Sequence, residues 1–187
     1  MLVETDVTEG LETKGHDATR IYAAACVERM AQIFTGFRGS DPGREADVDF
    51  FVTLAQRLWD LDDPIEGAVD AVDALEEFQE MQPTETGLTA TVDIYCFYSV
   101  LALRYAVLCA ASGDPAEAVR CGHAILTAMG QMDQNTPGGE FRAGEHAWQR
   151  RSVLGDGNGV VDVRALQEGC VAESRERLAA LRRRTGK

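Results

Sequence analysis

Glu28 and Arg29 are the first side chains in this sequence to examine for chemistry. They lie inside an otherwise apolar helical run, IYAAACVERMAQIF. A charge in such a setting must find a partner or water. The pair therefore reads either as an interhelical tie that fixes packing or as the polar end of a ligand pocket. No nucleophile or base stands beside either residue in a catalytic motif. His16, His123 and His146 have neither metal-ligand nor triad-like spacing, and no phosphate-binding loop, dinucleotide fingerprint or nucleophile elbow is present.

Two further stretches resemble metal loops. Asp62-Asp63-x-x-Glu66 has the look of a magnesium-binding carboxylate run, but it straddles Pro64. Acidic residues at such a helix start serve the free amide groups and the helix dipole. From Leu154 to Asp162 the sequence LGDGNGVVD places Asp156, Asn158 and Asp162 at calcium-loop positions 3, 5 and 9. Positions 1 and 12, which calcium needs filled by oxygen ligands, hold Leu154 and Ala165. A glycine-rich interhelical turn explains that segment. No metal, no cofactor and no enzymatic set is expected.

Charge supplies a stronger signal. The formal net charge is −13, and residues 1–93 carry 21 acidic against 6 basic side chains. Direct binding to nucleic acid through a basic surface is therefore not expected. Residues 41–85 alone sum to −12, and Asp70, Asp73, Glu77 and Glu80 recur at helical spacing. That ridge is expected to be a solvated face or, more sharply, a docking surface for a basic protein, with electrostatic steering raising the association rate. The leading functional expectation is a non-enzymatic cytoplasmic binding protein of the immunity-type or antitoxin-like kind. The alternative is a small-molecule binding protein or enzyme whose pocket, near Glu28, Arg29, Tyr95 and Tyr98, lies between the helix over 18–37 and the central helix.

These residues need a scaffold, and the pattern of apolar positions predicts one made of helices. Tyr22, Cys26, Met30, Ile33 and Phe37 form a stripe at three- and four-residue spacing. Glu28 falls on another face of the same helix, in line with the small residues Ala24, Ala31 and Thr35. Further helices are expected over 45–61, 64–81, 89–112, 115–129, 141–153 and 162–184. Gly113-Asp114-Pro115 supplies a C-terminal glycine, an N-cap and a first-turn proline in succession.

The stretch 92–111, from Val92 to Ala111, is apolar on every side, as in a helix buried in a core or a membrane. Arg104 within it would cost roughly 2.5–3.5 kcal/mol in a bilayer, so a soluble core is the expectation. The fold class that follows is all-α: a compact bundle of six or seven helices around this buried central helix. Residues 1–16 are expected as a mobile arm and 17–187 as one domain. The five scattered cysteines read as buried, reduced thiols, which fits a reducing cytoplasm.

Residues 21–37, IYAAACVERMAQIFTGF, resemble the opening of the YjaG-type family, bacterial proteins grouped as a domain of unknown function. Ala23, Ala24, Ala25, Cys26, Glu28 and Arg29 carry the likeness. Leu58-Trp59 looks like that family's second-helix Leu-Trp pair, and the Tyr- and Ala-rich central helix looks like its alanine-rich middle helix. Tyr22 stands where the family has Phe, and residues after Met132 match poorly. The resemblance implies an all-α fold and brings no activity with it.

Overall fold

A computed structural model describes residues 3–82, 90–136, 138–155 and 160–186. The described residues form eight α-helices and no strand: α1 (Thr5–Lys14), α2 (His16–Arg38), α3 (Glu45–Arg57), α4 (Ala68–Glu76), α5 (Thr91–Ser112), α6 (Pro115–Gln134), α7 (Phe141–Leu154) and α8 (Val163–Thr185). A short 3-10 turn, Gln79–Met81, follows α4. The all-α compact bundle expected from periodicity is what the chain adopts.

Two helices share the centre. In α5 the expected all-round apolarity is realised as a core helix, and 56% of its apolar window is buried against neighbours. By length and composition alone that helix could cross a membrane. Arg104, its one basic residue, reaches out to Glu76 at 2.5 Å. The more completely enclosed helix is α2, which is packed by α1, α3, α5, α6, α7 and α8. Its first stripe meets α5 and α6. Phe34 stacks on Phe51 of α3 at 4.6 Å, and Phe78 joins at 5.9 Å. Close approach to α6 requires a missing side chain at Gly122, where an added Cβ would lie 2.1 Å from the Tyr22 hydroxyl.

The α5–α6 junction forms as its residues dictate. Gly113 ends α5 in the left-handed conformation at φ 70°, and the Asp114 carboxylate accepts a hydrogen bond from the Ala116 amide at 2.9 Å. Pro115 fills the first helical position.

Three segments depart from expectation. Residues 5–14 are not a loose arm but a docked helix. Val3, Val7 and Leu11, four residues apart, are buried, and Arg150 of α7 pairs with Glu4 and Asp6 outside them. Three apolar residues among so many charges are a thin signal, yet they make one complete stripe.

The Asp62-Asp63-Pro64 break starts no helix; α4 begins only at Ala68, with Gly67 at its cap. Asp63 instead receives the Ile65 amide at 2.7 Å and pairs with Arg57 at 2.6 Å. These bonds hold its carboxyl at about 2. The turn is closed from behind by buried Arg20, whose guanidinium donates to the carbonyls of Leu58, Arg57, Asp60 and Asp63 at 2.5–3.1 Å. The third departure is the helix expected over 64–81, which breaks after Glu76. Phe78 takes an extended conformation (φ −60°, ψ 141°) and re-aims everything beyond it. Asp156, Asn158 and Gly159 of the glycine-rich loop lie outside the described residues. Asp162 at its end caps α8 through the Ala165 amide at 3.0 Å.

If the first helix is part of the folded unit, Leu11→Ala should lower stability by about 2–5 kcal/mol, as for other buried leucines. Urea denaturation followed by circular dichroism reads this directly. An unchanged midpoint would restore the loose arm.

Candidate functional site

Arg29 emerges from α2 on the side that faces α7 and α8, and it is fully buried. Its Nε and Nη2 donate to the two oxygens of Glu145 at 3.0 and 2.7 Å. Arg177 of α8, also fully buried, donates from Nη2 to Glu145 Oε2 at 2.8 Å and from Nε to Glu173 at 2.9 Å. Gln149, one turn after Glu145, donates to Oε1 at 2.9 Å and to the Gly122 carbonyl of α6 at 3.1 Å. Cys26 and Cys170 complete the shell, accepting from Arg29 at 3.4 and 3.5 Å. Trp148 lies alongside, with the Arg29 guanidinium 5.8 Å from its ring centre.

Local structure places the carboxylate. Asp133, near the end of α6, receives the Phe141 and Arg142 amides at 2.7 and 3.1 Å. It thereby satisfies the first free amides of α7 and fixes the hairpin from which Glu145 projects inward. On α8 the inward line runs Leu166, Cys170, Ser174, Arg177 and Leu181. Ser174 adds a tie to α2, accepting from the Gln32 amide at 3.0 Å.

This cluster is built to hold rather than to react. An ionised carboxylate offers roughly four lone-pair sites, and Glu145 receives four hydrogen bonds. Its lone pairs are committed to these donors, which favours the ionised form. Burial alone would raise its pKa, but Arg29 and Arg177 outweigh burial and hold the group at about 2. The cysteines are equally quiet. All five are buried and unpaired, and burial pushes Cys96 and Cys109 up to about 12. Among the described residues no group of three His, Cys, Asp or Glu side chains could hold a metal ion.

Glu28 leaves α2 in a different direction, toward α3. Its Oε2 accepts from the Trp59 indole at 3.2 Å, and burial raises its pKa despite that bond. It lies at a groove of about 370 Å³ floored by Ala31 and Thr35 of α2 and walled by Val48, Phe51, Val52 and Ala55 of α3 and Val171 of α8. The pocket expected between α2 and α5 does not bring its four residues together. Ser99 of α5 donates to the Met30 carbonyl at 3.3 Å, so the two helices touch there. Tyr95 is buried beside Arg184 of α8, and the Tyr98 hydroxyl accepts from Gln131 of α6 at 3.4 Å. Both tyrosines lie apart from Glu28 and Arg29.

The acidic ridge is also only partly as expected. Asp70, Asp73 and Glu77 are exposed. Glu80 is not on that face. The break at Phe78 turns it inward, where it is buried between Arg38 at 2.6 Å and Arg44 at 2.5 Å. Burial works to raise its pKa, and the bonds from Arg44 and Arg38 win and lower it.

Glu145, Gln149 and Arg177 were not singled out from sequence. A signal existed: Ser174 and Arg177 fill the gap between Cys170 and Leu178 in the apolar line of α8. A polar residue continuing a buried stripe needs a partner.

No protein-family model and no curated protein matches the chain. A crystal structure of a DUF416 family protein from Shewanella baltica OS155, at 1.91 Å resolution, shares its fold with a TM-score of 0.66. The likeness covers 93% of this chain and 95% of that one at 14% sequence identity. The chain thus has the fold of a protein from an uncharacterised domain family.

Two measurements probe the buried cluster. Arg29→Ala should cost about 3–5 kcal/mol, because it leaves Glu145 short of a charge partner in the core. The pH dependence follows from a folded pKa below the ordinary 4.5. Stability from ionised Glu145 is complete above that ordinary value and is lost as pH falls toward about 2. Glu145→Gln should therefore be less stable than wild type at neutral pH and lose less stability between pH 5 and 3. Equal acid slopes for the two proteins would refute the assignment.

Proposed function

We propose that this chain is a non-enzymatic cytoplasmic binding protein that engages a basic protein partner through α4, in the manner of an immunity-type or antitoxin-like inhibitor. We also group it with the YjaG-type proteins, on the residues of α2 that carry the resemblance. The observation behind the binding role is the exposed face of α4. That helix packs Ala71, Val72 and Leu75 inward and turns Asp70, Asp73 and Glu77 to solvent. Among the described residues none of these three carboxylates has an ion-pair partner, whereas nearby Glu76 and Asp63 each have an arginine.

Like charges three and four residues apart on one helix repel, so the free protein carries a cost that a basic partner would relieve. Val69, 73% exposed, stands on the same helix and offers an apolar contact inside the charged face. Charge of this kind acts mainly on association rate and partner choice. Glu80 takes no part, since its carboxylate is committed to Arg38 and Arg44.

The test is a comparison of partners captured by wild type and by the triple variant Asp70→Asn, Asp73→Asn, Glu77→Gln. The expected outcome is a basic protein held by wild type at low salt, weakened as the Debye length shrinks to about 3 Å near 1 M salt, and lost by the triple variant. A partner retained equally by both, or no partner at low salt, would end this reading.

A further inference from the structure

The face of α2 that carries Glu28 was legible as a line of small side chains, Ala24, Ala31 and Thr35; Ala24 and Ala31 are buried, while Glu28 and Thr35 are only partly covered. Helices α3 and α8 flank it and leave the groove described above between them. We propose that this groove is a binding site for a small organic cation with an apolar body, its ammonium group seated on Glu28. This does not rest on the acidic face of α4, which contributes no residue to the groove.

Three observations fit that ligand class. The volume, about 370 Å³, falls in the range of about 300–1,000 Å³ for small-molecule sites. The walls are apolar, with Val48, Val52, Ala55 and Val171 facing an aliphatic or ring-bearing body and buried Phe51 behind them. Glu28 is the one acidic or basic residue among those lining the groove, and the described residues give it no cationic partner.

The contrast with Arg29 beside it sharpens the point. Arg29 is saturated by Glu145, while the Glu28 carboxylate is held by a single neutral donor, the Trp59 indole. That bond orients the carboxylate and leaves its other oxygen to accept. Gln32, Gln56 and Gln167 at the edges can donate to or accept from the polar parts of a ligand. A ligand cation would also favour the ionised form of Glu28, which burial disfavours. An anionic or purely apolar ligand would leave that carboxylate uncompensated.

The experiment titrates the protein with three probes of one length, hexylammonium, hexanol and hexanoate. Binding is followed through the indole N–H resonance of Trp59, which reports directly on the Glu28 bond. The expected result is a saturable shift with hexylammonium, binding of hexanol about tenfold weaker, and none of hexanoate. Glu28→Gln keeps an acceptor for Trp59 but removes the charge, and should reduce hexylammonium to the hexanol level. Thr35→Leu, which fills the floor, should abolish binding of both while the melting curve remains cooperative.

Equal binding of hexylammonium and hexanol would mean a bare apolar surface and overturns the proposal. So would undiminished hexylammonium binding by Glu28→Gln, or no binding of any probe. If Glu28→Gln fails to fold, the comparison of cation with alcohol on the wild-type chain decides alone.

Discussion

The carboxylate of Glu145 is the constraint around which the interior is arranged. Removing a charge from water costs several kcal/mol per ion unless partners replace the hydration. Here two guanidiniums and one amide do so. Each comes from a defined place: Arg29 from α2, Arg177 from α8 and Gln149 from α7 itself. Satisfying one buried anion therefore fixes the rotation and depth of three helices at once. A hydrophobic contact tolerates sliding, but four directed bonds at 2.7–3.0 Å do not. The geometry of the groove depends on the same clamp, since it holds α8 at its set distance from α2.

Arginine recurs as the fastener throughout. Arg20 ties α2 to the turn after α3 through four carbonyls, and Arg38 and Arg44 close on Glu80. The planar guanidinium suits these tasks because it presents several donors in a fixed fork, which lysine does not. A chain with 16 arginines and 2 lysines thus uses part of its basic complement inside the fold, and its exposed acidic charge is correspondingly less balanced.

Much of this was legible in the residues. Helices with long apolar stripes, and the Gly113-Asp114-Pro115 junction, follow from local rules. The need of Arg29 for a partner was also readable, but its partner was not: Glu145 lies 116 positions away, and no local pattern spans that distance. Glu80 misleads for a different reason. It continues the spacing of Asp70, Asp73 and Glu77 only if the helix continues, and an extended Phe78 breaks the count. The first helix was missed because three apolar residues among charges carry little weight until α7 is there to receive them. Glu28 and Arg29 are sequence neighbours with opposite fates, because a 100° step on α2 sends one to a groove and the other to the core.

The separation of Arg29 from its counter-charge also has a meaning in time. At about 5–20 residues per second, the ribosome adds Glu145 roughly 6 to 23 seconds after Arg29, and Arg177 later still. Until then α2 has neither its anion nor the helix that covers its polar side. The nascent chain can gather α2, α3 and Phe78 around their aromatic contacts, but this half must keep Arg29 in water. Completion waits on α7 and α8, helices made long after the one they seal.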